Sequence, residues 1–202
     1  MARKVINTLF FILLFVFAAA FIFPVAVVLI NSFKAKFSIS TSPFTLPFGN
    51  DFVGLSNYTE GIKNTGFFSA FGWSLFITVF SIAAILVFTS MCAWFIVRVK
   101  TKFTSFLYYA LVFSMIVPFQ MVMFTMSKVA NVLHLDNPLG IILIYLGFGA
   151  GLSVFMFTGF IKTVPLGIEE AATIDGCTPF QTYWLVVFPI LKPTAITVAI
   201  LN

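Results

Sequence analysis

Residues 163–193 read TVPLGIEEAATIDGCTPFQTYWLVVFPILKP and interrupt an otherwise strongly apolar chain. The stretch contains the carboxylates Glu169, Glu170 and Asp175, and sixteen uncharged residues separate Asp175 from Lys192. As a helix those residues would extend about 24 Å, less than the roughly 30 Å hydrocarbon core of a bilayer. We therefore predict that this stretch lies at the membrane surface and does not cross the membrane.

Helix start and stop signals divide the stretch into two short helices. Pro165 suits the first position of a helix, and Gly176 suits the left-handed residue that follows a helix end. Thr178, Pro179 and Gln181 form a capping-box pattern that begins the second helix. Residues at helical spacing give that helix an apolar face that ends at a proline: Phe180, Tyr183, Trp184, Val187 and Pro189. The pattern is typical of an amphipathic helix at a membrane interface, although an ordinary loop helix packed under a bundle has the same spacing.

The composition around this stretch excludes a soluble domain. Of all residues, 61% are hydrophobic and 8% are charged, and the mean hydropathy is +1.12. A soluble domain of this size has about a quarter charged residues. The net charge of +5 does not indicate nucleic acid, because the eleven basic residues are scattered at the ends of apolar runs. We predict an all-α integral membrane protein that contacts the lipid bilayer and no nucleic acid.

Charge-free runs long enough to span a bilayer give the membrane helices. Four are predicted, at about 7–30, 70–97, 104–127 and 138–161. A fifth begins at 193 and has only ten residues before the sequence stops, so we expect the chain to be incomplete at its C-terminus. The first run resembles a signal peptide up to Ala20, but it stays apolar through Ile30, which favours an uncleaved anchor.

The basic residues predict the orientation of these helices. Seven would lie in the cytoplasm if the N-terminus does: Arg3, Lys4, Arg98, Lys100, Lys102, Lys162 and Lys192. Four would lie outside: Lys34, Lys36, Lys63 and Lys128. Because cytoplasmic loops carry the excess of Lys and Arg, we expect a cytoplasmic N-terminus, a cytoplasmic loop at 163–190 and an external segment at 33–65.

The sequence has no pattern of a membrane enzyme or of an ion-coupled carrier. No Asp, Glu, His, Lys or Arg lies within the four apolar runs, whereas ion-coupled carriers place such residues at mid-membrane. No HExxH, no GxSxG and no intramembrane pair of carboxylates is present. His134 reads as a loop residue, and Cys92 and Cys177 read as free thiols without metal-site spacing. We expect no catalytic residue and no metal, and an energy source outside the chain.

Polar residues within the predicted helices leave two interpretations open. Ser74, Thr78 and Ser81 share one helix face, which usually turns towards neighbouring helices. Pro118 frees a backbone carbonyl, and a buried Gln120 amide must find a partner. These four polar residues either pack helices together or line a pathway for a solute.

The spacing within the quoted stretch resembles a known motif. Glu170, Ala171 and Ala172 are followed after three residues by Gly176, and after nine more by Val186–Pro189. This arrangement resembles the EAA loop of permease subunits of ATP-binding-cassette importers. Residues 174–176 and 178–181, together with Asn57, Pro118 and Gln120, are similar to the corresponding residues of the permeases that import carbohydrates. The similarity is to the smaller permease of maltose and oligosaccharide importers in particular.

The resemblance implies a type I importer permease, a single domain over 1–202 in a bacterial plasma (inner) membrane, truncated in its fifth helix. Implied partners are a second permease, two ATPase subunits and an extracytoplasmic solute-binding protein. The chain has no GxxxxGK[ST] sequence, so ATP would bind the ATPase subunits and this chain would need no cofactor. The implied solute is a sugar or oligosaccharide, and the alternative is an amino acid, a peptide or a phosphorylated polyol. The residues implied in coupling to the ATPase are Glu169, Glu170, Ala171, Ala172, Asp175, Gly176 and Pro189.

Overall fold

The computed structural model describes residues 2–202, and Met1 lies outside it. The described residues are mostly helical and contain no strand, which confirms the all-α prediction. They form two compact units, one ending at Phe71 and the other starting at Gly72.

The first unit is dominated by one long helix. It contains α1 (Ala2–Ser32), α2 (Lys36–Thr41), a 3-10 turn at Gly49–Asp51 and α3 (Ser56–Thr65). The 31 residues of α1 would extend about 46 Å, which exceeds a hydrocarbon core of roughly 30 Å. The side chain of Asn57 ties α3 to the end of α1, since its Nδ2 donates to the carbonyl oxygens of Ser32 and Lys34 at 2.9 and 2.7 Å.

The second unit contains the remaining helices. They are α4 (Phe67–Arg98, of which the first turn belongs to the first unit), α5 (Lys102–Ser114), α6 (Phe119–Val132), α7 (Pro138–Ile161), α8 (Leu166–Ile174), α9 (Pro179–Thr182), α10 (Phe188–Ile190) and α11 (Lys192–Leu201). A π-helical turn at Tyr183–Val187 joins α9 to α10. By length and hydropathy α1, α4 and α7 could each cross a bilayer, and up to five crossings result if two bent pairs each count as one.

The first bent pair differs from the continuous helix predicted over 104–127. The axes of α5 and α6 meet at 106°, and the chain between them is not helical. Pro118 explains the break, because the residue before a proline avoids the helical region and a proline has no N–H to donate. Pro118 itself is extended, with ψ 135°, and precedes the first residue of α6. Gln120 therefore lies in the first turn of a new helix and is exposed.

The second bent pair shows that Pro189 does not close its helix as predicted. The helix that begins at Pro179 continues to Ile190 and meets α11 at 72°. The π-helical turn accommodates the proline, because it shifts the Phe188 N–H to the carbonyl of Tyr183, five residues earlier. The chain then bends at Leu191.

The core of the second unit lies where α4, α7, the helix at Pro179–Ile190 and α11 meet. Its buried apolar side chains are Ile85, Ala93, Ile96, Val154, Phe157, Ile161, Tyr183, Val187, Leu191, Ala195 and Val198. The helices α5 and α7 approach closely at Gly151, where a β-carbon would lie 2.7 Å from the Leu111 carbonyl oxygen and 2.8 Å from Ser114 Oγ. Gly151 is needed at this contact because only a residue without a side chain fits there.

We expect Gly151→Ala to destabilise the α5–α7 contact, because its β-carbon overlaps backbone that cannot move away cheaply. Overpacking of this kind costs about 1–3 kcal/mol. Gly159→Ala in the same helix is the matched control, since nothing lies within 4 Å of its β-carbon. The control should gain up to about 1 kcal/mol from helix propensity. Unfolding of the purified subunit in mixed micelles measures both, and equal free energies of unfolding for the two variants would contradict this account.

Candidate functional site

The quoted stretch folds as two helices separated by a sharp turn at Gly176. Helix α8 ends with the hydrogen bonds of a Schellman motif: Gly176 N–H donates to Thr173 O at 3.1 Å, and Cys177 N–H donates to Ala172 O at 3.0 Å. Gly176 has φ +88°, a left-handed conformation that strains any residue with a β-carbon. The sequence predicted Pro165 as the first residue of α8. In the structure Pro165 lies one position before the helix, with φ −58° and ψ 133°.

The second helix begins at the predicted capping box. Thr178 Oγ1 accepts from the Gln181 N–H at 3.4 Å, and the Gln181 side chain accepts from the Thr178 N–H at 2.8 Å. With Gly176 this cap sets the angle between α8 and the helix that begins at Pro179.

Helix α8 is attached to α4 through a buried carboxylate. Glu169 Oε1 accepts from Arg98 Nη2 at 2.6 Å and from Arg98 Nε at 2.9 Å, and Glu169 Oε2 accepts from Trp94 Nε1 at 2.9 Å. Arg98 Nη2 also donates to the Val164 carbonyl oxygen at 3.1 Å. Across residues 2–202 no other salt bridge forms. Side-chain exposure is 19% for Arg98 and 9% for Glu169, so the pair is largely shielded from water.

The same face of α4 also holds the second helix. Ser90, Trp94 and Arg98 are spaced four residues apart and therefore share one helix face. The Ser90 and Tyr183 hydroxyl oxygens lie 2.6 Å apart in a hydrogen bond, and the rings of Trp94 and Tyr183 have centroids 5.4 Å apart. Tyr183 is fully buried. We call Ser90, Trp94 and Arg98 the α4 platform, since the three side chains hold both helices of the loop.

Adjacent residues of α8 face different surroundings. Glu170 is exposed, as are Ala171, Asp175 and Gly176, whereas Glu169 and Ala172 are buried; Pro189 is exposed on the following helix. Glu170 lies at the edge of an open cleft of about 560 Å³. The cleft is lined by Trp94, Leu166, Glu169, Glu170, Thr173, Ile174, Pro179 and Thr182. Glu170 is therefore free to contact a partner, while Glu169 holds the loop in place.

The polar residues predicted for packing or for a solute pathway separate into two groups. Thr78 and Ser81 line a common cleft of about 420 Å³, together with Tyr145. Ser81 is buried, and its hydroxyl has no hydrogen-bond partner among the described residues. Ser74 is exposed and does not line this cleft. Gln120 is exposed on α6 and is not among the lining residues either.

The sequence interpretation overlooked the α4 platform. Arg98 enters the sequence prediction only as one of the seven basic residues assigned to the cytoplasm, and Ser90 and Trp94 have no part in it. The available signal was their four-residue spacing at the end of a long apolar helix, beside a loop with two adjacent glutamates. Among residues 2–202 no cluster of three or more His, Cys, Asp or Glu side chains could hold a metal ion.

We expect Glu169→Gln to destabilise the subunit by about 3 kcal/mol, near the low end for breaking a buried ion pair, because it leaves the Arg98 charge without its partner. Arg98→Gln should have a similar cost. The double variant should cost clearly less than the sum, because it leaves no uncompensated charge. Glu170→Gln is the matched control on the exposed neighbour and should have little effect. A double-mutant cycle on the free energy of unfolding measures these terms; strict additivity would show that the pair is not coupled.

Comparisons with known proteins show the family of the chain. Residues 85–202 match the family described as the binding-protein-dependent transport system inner membrane component. The chain is 38% identical to a probable starch degradation products transport system permease protein of Thermoanaerobacterium thermosulfurigenes, over 93% of this chain and 67% of the relative. It is 32% identical to a multiple sugar-binding transport system permease protein of Streptococcus mutans, over 95% of this chain and 69% of the relative.

A solved structure supports the fold. A chain of a bacterial ABC transporter involved in the import of the acidic polysaccharide alginate superposes with a TM-score of 0.82 at 22% identity. The match covers 100% of this chain and 70% of that chain. With more than half of its residues matched by the family and two relatives above 30% identity, the chain belongs to the binding-protein-dependent transport system inner membrane components, which are membrane subunits of transporters and not enzymes.

Proposed function

We propose that this chain is the membrane-spanning subunit of an ATP-driven importer that moves a sugar or oligosaccharide delivered by an external binding protein. The observation that carries the proposal is the exposed Glu170 on a short helix that ends at a left-handed Gly176 and is attached to α4 by a buried ion pair. A rigidly held, outward-facing carboxylate suits docking to a partner, and nothing about it suits catalysis within this chain.

The solute class rests on the relatives. Their names describe starch degradation products and multiple sugars. A cleft with hydroxyl groups from Thr78, Ser81 and Tyr145 is compatible with a polyhydroxylated solute. We propose Thr78 and Ser81 as pathway residues, and Ser74 and Gln120 as further positions of the pathway away from that cleft.

The coupling proposal assigns different tasks to the loop residues. Glu170, Ala171, Asp175 and Gly176 form the exposed surface that would meet an ATPase subunit. Glu169, through Arg98, and Ala172, through its buried position, would hold that surface against α4; Pro189 would set the path of the chain into α11. ATP would bind the ATPase subunits, so this chain needs no cofactor of its own.

We further propose the assembly and the orientation. The partners are a second permease, two ATPase subunits and an extracytoplasmic solute-binding protein. The chain would act as one permease domain in a bacterial inner membrane, with its N-terminus and residues 163–190 in the cytoplasm. The excess of basic residues on that side supports this orientation. The bent pair of α5 and α6 would form one interrupted crossing and not a re-entrant loop, because a crossing between α4 and α7 puts residues 163–190 on the same side as the N-terminus.

We expect Gly176→Val, in the complete transporter with all partners, to assemble normally and to lose uptake and binding-protein-stimulated ATP hydrolysis. A β-carbon at φ +88° costs about 1–2 kcal/mol. Such a cost lowers the equilibrium ratio of the native turn to its alternatives by roughly five- to thirty-fold. Gly167→Val in α8 is the matched control. At both positions a new β-carbon would have no neighbour within 4 Å, but only Gly176 has a positive φ. Glu170→Ala should show a milder loss.

Uptake of radiolabelled maltotriose into proteoliposomes loaded with ATP provides the measurement, with a radiolabelled amino acid as the non-sugar arm. Full activity of Gly176→Val would remove the coupling role from this turn. Uptake of the amino acid in place of the sugar would support the alternative solute class and leave the coupling role intact. Uptake by this chain without an ATPase subunit would refute the importer assignment itself.

A further inference from the structure

The segment between α1 and α3 exposes its aromatic and aliphatic side chains. Phe37 is 79% exposed, Phe44 73% and Phe48 74%. Other large apolar residues of the segment are also exposed: Leu46, Phe52 and Leu55. So many exposed large apolar side chains within twenty residues are uncommon on a segment that faces water and mark a surface that something covers.

Polar side chains of the same segment are buried beneath this aromatic surface. Lys34 is fully buried, and its Nζ donates to the Ser42 carbonyl oxygen at 2.7 Å and to Thr45 Oγ1 at 3.3 Å. Ser38 is also buried, and its hydroxyl donates to Asp51 Oδ1 at 2.6 Å. The burial of Lys34 and the exposure of the phenylalanines are therefore the reverse of what a loop in water shows, which would expose the lysine and bury the phenylalanines.

An inverted arrangement of this kind is stable where the surroundings are apolar. In such surroundings each polar group must find its partner within the protein, and apolar side chains gain nothing by turning inward. Lys34 and Ser38 meet the first condition, because both find oxygen acceptors inside the segment, and the outward-facing phenylalanines meet the second.

The position of Phe44 places the segment beside α1 and not beyond its end. The ring of Phe44 stacks on Phe23 of α1 with centroids 6.1 Å apart. Phe23 precedes Ser32, the last residue of α1, by about 13 Å along the helix axis. The chain therefore folds back along α1, and Asn31 Nδ2 holds the returning segment by donating to the Pro43 carbonyl oxygen at 2.8 Å.

We propose that residues 36–55 lie in the outer interface of the bilayer, with Phe37, Phe44 and Phe48 inserted among the lipid acyl chains. Continuity with α1 favours lipid over a protein partner, because α1 is long and apolar enough to cross the bilayer and the Phe23–Phe44 contact joins its side to the exposed phenylalanines of the segment. Exposed Lys36, directly before the aromatic surface, is placed to meet lipid head groups. The segment thus anchors the external end of α1 at the bilayer surface and limits how far that helix can move along the membrane normal.

The test is the accessibility of spin labels to molecular oxygen, which concentrates in lipid, and to a water-soluble nickel chelate. Single cysteines at Phe44, Phe48, Glu60 and Val16 are labelled in a chain whose two native cysteines are replaced by serine. The labelled subunit is reconstituted into phosphatidylcholine and phosphatidylglycerol vesicles, alone and in the complete transporter. All four positions are exposed. The label at 44 removes the Phe23–Phe44 contact, whereas the label at 48 reports on the segment with that contact intact.

We expect labels at 44 and 48 to collide more often with oxygen than with nickel in both preparations, and the label at Glu60 on α3 to show the reverse. Val16, in the middle of α1, must report lipid for the measurement to be valid, which separates failure of this proposal from failure of α1 to cross the membrane. Nickel access at 44 and 48 in both preparations would overturn the proposal. So would nickel access in the subunit alone that gives way to exclusion of both reagents in the complete transporter, because a protein partner would then cover the surface.

Discussion

The Glu169 carboxylate receives three hydrogen bonds from Arg98 and Trp94, and the position of the loop from Pro165 to Ile190 depends on this contact. A carboxylate and a guanidinium withdrawn from water are stable only when their hydrogen-bonding capacity is used, and here both oxygens of Glu169 are engaged. Because Ser90 holds Tyr183 on the same face of α4, one helix orients both halves of the loop. These contacts support the proposal that a movement of α8 would be passed to α4.

Division of labour between Glu169 and Glu170 follows from helix geometry. Adjacent residues in a helix point about 100° apart, so only one of the two carboxylates can face α4. Glu169 is held by the α4 platform, and Glu170 is left exposed at the edge of the cleft. The Schellman turn at Gly176 then fixes the direction in which the next helix leaves. Because Glu169 fixes α8 and Glu170 is exposed on it, α8 offers a partner a fixed surface to bind.

Local features of this structure could be predicted from the sequence, whereas long-range contacts could not. The capping box at Thr178 and the left-handed Gly176 involve only neighbouring residues, and the structure has both. The break before Pro118 and the continuation through Pro189 were not predicted, because a proline permits either outcome and the packing around it decides. Arg98 and Glu169 are 71 residues apart, so no local pattern joins them. The inverted burial of Lys34 depends in the same way on a fold-back of the chain along α1.

The most direct test of the account is whether Glu170 meets an ATPase subunit. The photoreactive residue p-benzoylphenylalanine is placed at Glu170 and, as a control, at exposed His134, and the complete transporter is irradiated in membrane vesicles. The account predicts a cross-link from position 170 to the ATPase subunit, identified by mass spectrometry, and none to that subunit from position 134. A cross-link from position 170 to the external binding protein, or equal cross-linking of the ATPase subunit from both positions, would contradict it.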